Sequence, residues 1–262
     1  MKLRSILLIY FLCFYMAFSL AQVPRLKYLG VETGMNFIES EMSNMDDYIR
    51  GDVPSYSLGY SSSSLTTLTS RSFAGIKYEI FSLNDQISLS GGLRYSRINS
   101  SVGKKRYWGS STNYFYWLYL QDGVNTEYLK VKEIDQKSDY IGIPVEIRFF
   151  PARRPRIFRF YFKLGAEINC LIQSQKDIVF YDEAMNPYKN ELTAKVANPK
   201  PFYAAAYVGG GFRFGKELKP SVSIEASMPY LLITQNSAGL VNPIYGGGFQ
   251  INVQIPIKSK VK

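Results

Sequence analysis

The side chains that could do chemistry in this 262-residue chain are carboxylates, amines, guanidinium groups and hydroxyls, because histidine is absent. Ten ionisable residues fall at matching positions within alternating apolar segments: Glu32, Lys77, Glu79, Arg94, Glu146, Arg148, Lys163, Glu167, Arg213 and Glu225. Five are acidic and five basic. A carboxylate pair or a serine–lysine pair can do acid–base or nucleophilic work, with Glu146 or Glu167 as the carboxylates. A Ser-His or Asp-His centre is excluded, and the commonest metal ligand is missing with it. Gly209–Gly211 and Gly246–Gly248 lie within alternating segments, where glycine permits curvature and close backbone approach; phosphate cradling would need another setting. The simpler chemistry is mutual charge pairing. The sequence therefore predicts no enzyme, no metal and no cofactor.

The elements that carry these charges are strands. Tyr140–Pro151 places Ile141, Ile143, Val145, Ile147 and Phe149 on one parity and Gly142, Pro144, Glu146 and Arg148 on the other. Successive strand residues point to opposite faces, so one face is wholly apolar. The pattern recurs in Leu29–Phe37, Arg71–Ser82, Gln86–Ile98, Ile157–Ile172, Phe202–Phe214, Ser221–Met228 and a last strand from Gly248 to Ile257. The ten charges fall in seven of these eight segments, each opposite the apolar face, and the last strand carries none. Pro144 removes a ladder donor, and a local bulge is expected there.

Long and short connections alternate between these eight strands. Residues 38–70, 99–138, 173–200 and 229–243 read as long loops, and Leu83–Asp85, Pro151–Arg156 and Gly215–Lys219 as short turns. Within the second loop, Thr112–Leu120 and Thr126–Lys132 flank Asp122-Gly123, a hairpin turn signal. These arms either extend beyond the sheet or add two strands to it. No helical period of useful length is found outside the N-terminal segment.

Strands of about nine residues or more exceed the soluble norm of about 5–6 and match the roughly 9–11 that cross a membrane. A charge facing lipid at mid-bilayer costs about 2–4 kcal/mol for Arg or Lys, which explains a charge-free parity. A soluble ligand-binding barrel would invert the arrangement. Backbone groups in hydrocarbon must all be paired, so the sheet must close. The expected fold is all-β: an antiparallel transmembrane β-barrel of eight strands, or ten if the arms join it, with short periplasmic turns and long extracellular loops.

Residues 1–21 read as a secretory signal, with Lys2 and Arg4 before the apolar run Ile6–Phe18 and small residues before Gln22. Residues 22–262 then form the barrel domain, destined for the outer membrane, and Cys170 remains its single cysteine. The formal charge of +10 concentrates at the periplasmic rim, including Arg153, Arg154 and Arg156. These could touch an acidic periplasmic protein or the anionic headgroups of outer-membrane lipids. No basic groove interleaved with aromatics emerges, so nucleic acid is not an expected partner. Tyr28, Phe81, Tyr95, Phe149, Phe150, Phe158, Phe160 and Tyr203 lie near strand ends, where those facing lipid would anchor the barrel. Trp108, Tyr114, Tyr116 and Trp117 belong to an external loop, either as a contact surface or packed against their own hairpin.

Asp139–Phe150, DYIGIPVEIRFF, resembles a strand of the small outer-membrane β-barrels of Bacteroidota, the PorT-like group. FKLGAEIN at Phe162–Asn169 and GGGFRF at Gly209–Phe214 are also similar to that group. The resemblance implies an outer-membrane location and leaves the activity open, since PorT belongs to a protein secretion system and many similar barrels have no assigned role. Three roles are thus expected to compete. The first is a non-enzymatic barrel with a side-chain-filled lumen and surface loops for contact or structure. The others are a secretion-machine component acting through its basic rim, and a narrow pore.

Overall fold

A computed structural model describes residues 26–43, 49–50, 65–82, 85–104, 114–122, 125–152, 157–216, 218–232 and 238–257. The elements are β1 (Lys27–Met42), β2 (Ile49–Arg50), β3 (Leu65–Phe81), β4 (Ile87–Lys104), β5 (Phe115–Asp122), β6 (Asn125–Phe149), β7 (Phe158–Phe180), a 3-10 turn (Glu183–Tyr188), α1 (Lys189–Lys195), β8 (Phe202–Phe214), β9 (Ser221–Leu232) and β10 (Val241–Ile257). Eight of the strands pair antiparallel in the ring β1-β3-β4-β6-β7-β8-β9-β10 and back to β1. The sheet has no open edge along the ring, which satisfies its backbone in lipid. Strand β5 stands outside the ring, paired only with the far end of β6 and with β2.

Alternation along each strand decides which face looks out. On β6, Ile141, Ile143, Val145, Ile147 and Phe149 are exposed while Glu146 and Arg148 are buried. On β10, Phe249, Ile251, Val253 and Ile255 are exposed while Gln250, Asn252 and Gln254 are buried. Every strand of the ring repeats this inversion of a soluble protein. The apolar belt is the lipid-facing surface of a transmembrane barrel, and the polar side chains are its interior.

The strands run well past the belt at the end where the long loops lie. β6 has 25 residues and β7 has 23. Residues 38–42 and 65–70, expected in a loop, are ladder, and so are 99–104 and 173–180. Their alternation is hard to see in sequence because the outward face there is polar instead of apolar. The arm at Thr126–Lys132 is continuous with the strand at Tyr140, and β5 folds back on it with Asp122 opposite Asn125. The arms are therefore an extension of the barrel wall and not two further members of the ring. Residues 183–195, expected as loop, form a 3-10 turn and a seven-residue helix that buries Leu192. Asp182 starts them by accepting from the Ala184 amide at 3.0 Å.

Pro144 shows no register shift on either side. The expected bulge is absent; instead the β4 ladder skips Ile143 and Pro144 and resumes in the same register at Gly142–Arg94. The register does shift at Met228–Pro229, two residues of β9 that face one residue on each neighbour, Val208 and Gly247. Gly247 is required there, since a Cβ would lie 2.7 Å from the Met228 side chain.

Candidate functional site: the closed lumen and its dome

The barrel interior is stratified from the turn end to the loop end. At the turn end, the alternation aims Tyr28, Phe81, Phe150 and Tyr161 inward, with ring centroids 4.9–5.8 Å apart in successive pairs. Arg213 lies over Tyr28 at 4.3 Å, and Arg159 over Phe150 at 4.2 Å. Arg159 also donates to the carbonyls of Asp85 (2.5 Å) and Ala152 (3.0 Å), tying the floor to two turns. Cation–π contacts of this kind strengthen when desolvated. Of the eight aromatic residues expected near strand ends, Tyr28, Phe81, Phe150 and Tyr203 thus belong to the interior. Tyr95, Phe149 and Phe158 face outward.

Above the floor lie the ten ionisable residues picked out by parity, all of them buried. Glu79 accepts from Arg213 (2.8 Å), Ser88 (2.6 Å), Gln254 (2.8 Å) and Arg148 (3.3 Å). Glu225 accepts from Arg148 (2.7 Å), Lys163 (2.6 Å) and Asn252. Glu146 accepts from Lys77 (2.8 Å), Arg148 (3.0 Å) and Tyr207 (2.8 Å). Glu32 bridges Lys77 (2.5 Å) and Arg94 (2.7 Å). Glu167 bridges Arg94 (2.6 Å) and Arg71 (2.8 Å). Each carboxylate therefore touches at least two cations, and every strand of the ring contributes a member. Arg71 and Arg159 also lie in the lumen; their parity with Lys77 and Lys163 was the available signal.

Such a network is expensive to desolvate and is tolerated because each ion keeps several partners. It also positions its own neighbours. Gly165 has no side chain because a Cβ would lie 2.4 Å from the Tyr207 ring, which must pass there to reach Glu146. Glu146 and Glu167, the carboxylates proposed for acid–base work, are both buried and engaged by cations. The arrangement is built for filling.

Tyr140 and Tyr203 cover the network edge to face at 4.8 Å, with Ile38, Ile98 and Ala205 beside them. Beyond them, the extended strands enclose an apolar dome around Phe115, Trp117, Val131, Ile134, Ile178 and Phe180. Leu192 and Val196 enter it from the α1 segment, and Leu240 and Val241 from the start of β10. Gln136 joins these two intrusions, donating to the Ala197 carbonyl (3.2 Å) and accepting from the Leu240 amide (2.7 Å). Tyr119 of β5 clasps α1 by donating to Glu191 (3.0 Å) and packing on Tyr188 at 4.8 Å. Burial against the Lys176 amine lowers its pKa while it donates to the Val196 carbonyl.

The candidate contact residues divide. Trp117, open between surface contact and packing in the sequence, is fully buried in the dome because it shares the inward parity of Phe115, which removes it from the contact residues. Tyr114 and Tyr116 lie on the outer face, edge to face at 5.5 Å, and Tyr114 also packs on Tyr181 at 4.7 Å. Trp108 lies outside the described residues, as do Arg153, Arg154, Arg156 and the segment expected to be the signal.

No protein-family model matches the chain. No curated protein matches it either. Solved structures do. The outer membrane protein OprG from Pseudomonas aeruginosa is 12% identical with a TM-score of 0.44, over 90% of this chain and 98% of that one. Ail, the attachment invasion locus protein of Yersinia pestis, is 8% identical with a TM-score of 0.34, over 90% and 100%. The translocator domain of the autotransporter NalP from Neisseria meningitidis is 7% identical with a TM-score of 0.31, over 92% and 91%. The functional reading rests on the geometry of the lumen and the dome.

Proposed function

We propose that this chain is a non-enzymatic integral outer-membrane barrel, closed to solutes, whose work is done by the dome it raises above the membrane. The observation that carries this reading is the ion pair between Glu79 and Arg213, which joins β3 to β8 through the middle of the lumen. An eight-stranded barrel is just wide enough for side chains to fill. Here they fill it from the aromatic floor to the apolar dome, which argues against the narrow-pore role. The ten lumen charges serve as an internal scaffold, and lipids are the partners of the outward face. The rigid dome, clasped by Tyr119 and Gln136, serves external contact or surface structure through outward groups such as Tyr114 and Tyr116.

Single cysteines placed in a Cys170→Ser background test the orientation. Whole cells treated with a membrane-impermeant maleimide should label a cysteine replacing Glu127 in the dome hairpin. A cysteine replacing Leu218 in the turn between β8 and β9 should label only after permeabilisation. Labelling of the turn in intact cells would contradict the reading.

A second reading, a PorT-like component of a secretion machine, is supported by the sequence resemblance and by the basic run Arg153, Arg154 and Arg156. Photo-crosslinkers at those three positions should then capture a periplasmic protein; recovery of lipid alone would leave the closed-barrel role standing by itself.

A further inference from the structure

On the outer face of the wall, just beyond the apolar belt, two adjacent cross-strand rows show a graded chemistry. The first row runs Phe37–Ser70–Asn99–Lys137 across β1, β3, β4 and β6, each residue directly opposite the next. The second runs Leu68–Ser101–Asp135 across β3, β4 and β6. Together they line a notch of about 300 Å³. At about 4.8 Å per strand, the first row spans roughly 14 Å.

One side of the notch is apolar: Phe37 and Leu68 are 59% and 70% exposed and continue the belt. Its floor is small and polar, with Ser70, Asn99 and Ser101. Its other side is charged, with Lys137 and Asp135. Below Lys137 on the same side, Arg97 is fixed to Asp139 at 2.7 and 3.1 Å, so a second cation stands at the rim with its charge locally balanced. Burial pushes the Asp135 carboxyl up against the opposing pull of Lys137, with Asp177 adding to the rise.

Resting on the outer-membrane reading above, we infer that this notch seats the headgroup of a phosphorylated glycolipid of the outer leaflet. The Lys137 ammonium meets a phosphate, and Asn99, Ser101 and Asp135 accept sugar hydroxyls. An acyl chain runs down over Phe37 and Leu68 onto the belt. A phospholipid would use the cation and the apolar side but bring at most the two hydroxyls of a glycerol headgroup to three acceptors, which is why a sugar is the better match. Ser70 keeps the floor low enough to admit it.

The purified, folded barrel in non-ionic detergent can be exposed to lipid A, a bis-phosphorylated acylated glucosamine disaccharide, to its dephosphorylated form, and to phosphatidylglycerol. Native mass spectrometry reads the adducts. Lipid A is expected to bind about tenfold more tightly than either comparison lipid. Lys137→Glu and Ser70→Trp should each remove that preference, with heat-modified gel mobility showing that both variants remain folded. Equal retention of phosphatidylglycerol, or unchanged lipid A binding in both variants, would overturn the assignment. The cysteine-labelling experiment separates this failure from a failure of the outer-membrane reading, because it reports orientation whatever lipid is bound.

Discussion

Glu79 and Arg213 face each other across the full width of the barrel and meet at 2.8 Å, although 134 residues separate them in sequence. Their strands, β3 and β8, are diametrically opposed in the ring of eight. A contact of this kind narrows any passage through the barrel at that level. Gln254 and Ser88 donate to the same carboxylate, so four strands of the ring meet at Glu79.

Removing the shared carboxylate should be costly. Glu79→Ala leaves Arg148 and Arg213 buried with one acceptor fewer each, and breaking a buried network this way costs about 3–5 kcal/mol. Urea unfolding of the barrel in lipid vesicles, followed by far-ultraviolet circular dichroism of the strands and by heat-modified gel mobility, measures it. Glu79→Gln, which keeps an acceptor oxygen, should lose less. Wild-type stability in Glu79→Ala would show that the network is not a scaffold.

Gln136 holds two loop-end intrusions at once. Gln136→Leu strips the Leu240 amide of its acceptor, a change worth about 1–3 kcal/mol for a buried donor. The effect should be local: limited proteolysis should speed up within residues 181–201 and 233–240, while the barrel keeps its heat-modified mobility. Uniform loss of the whole fold would contradict the separation of dome and barrel.

Trp117 is one of two tryptophans and is wholly buried in the dome. In a Trp108→Phe background its emission should be blue-shifted and resistant to iodide. Trp117→Ala should destabilise the dome by about 3–5 kcal/mol, the usual cost of emptying an aromatic site. Easy quenching by iodide would mean that the dome is open.

Above the belt, the hydrogen-bonded Arg97 guanidinium holds the Asp139 carboxyl down at about 2, below the usual carboxylate range, with Gln173 as a further donor. A folded-state pKa below the unfolded one means that the pair stabilises the fold fully above about pH 4. That contribution fades as the pH falls towards about 2. The stability difference between wild type and Asp139→Asn should therefore shrink over that window. A constant difference between pH 6 and pH 2 would contradict it.

How far these features could be read from sequence depends on the solvent beside each face. Along Tyr140–Phe149, lipid outside and ions inside write a strict alternation, so Glu146 and Arg148 could be placed by parity alone. Past Tyr140 towards the loop end, the outward face meets water: Lys137, Asp135 and Glu133 are polar like Gln136 and Ser138 inside, and the period disappears. That is why the sequence shows the arm at Thr126–Lys132 but not its continuity with the strand at Tyr140. The sequence leaves Trp117 open between surface contact and packing, because its inward direction depends on the register of β5 against β6, which the local sequence does not encode. Pro144 was a different case: the ladder loses rungs there without inserting a residue, so a rule that equates proline with a bulge expects too much. The seven-residue α1 is too short to show a helical period and is held by Leu192 in the dome and by Tyr119.

The central claim, that the lumen is closed, is tested most directly by conductance. Purified barrel inserted into planar lipid bilayers in molar potassium chloride should give no stable open level at any holding potential. Glu79→Ala with Arg213→Ala, which removes the contact spanning the lumen, should raise no more than brief, irregular events while the dome remains. A steady, voltage-independent conductance from the wild-type protein would contradict the account.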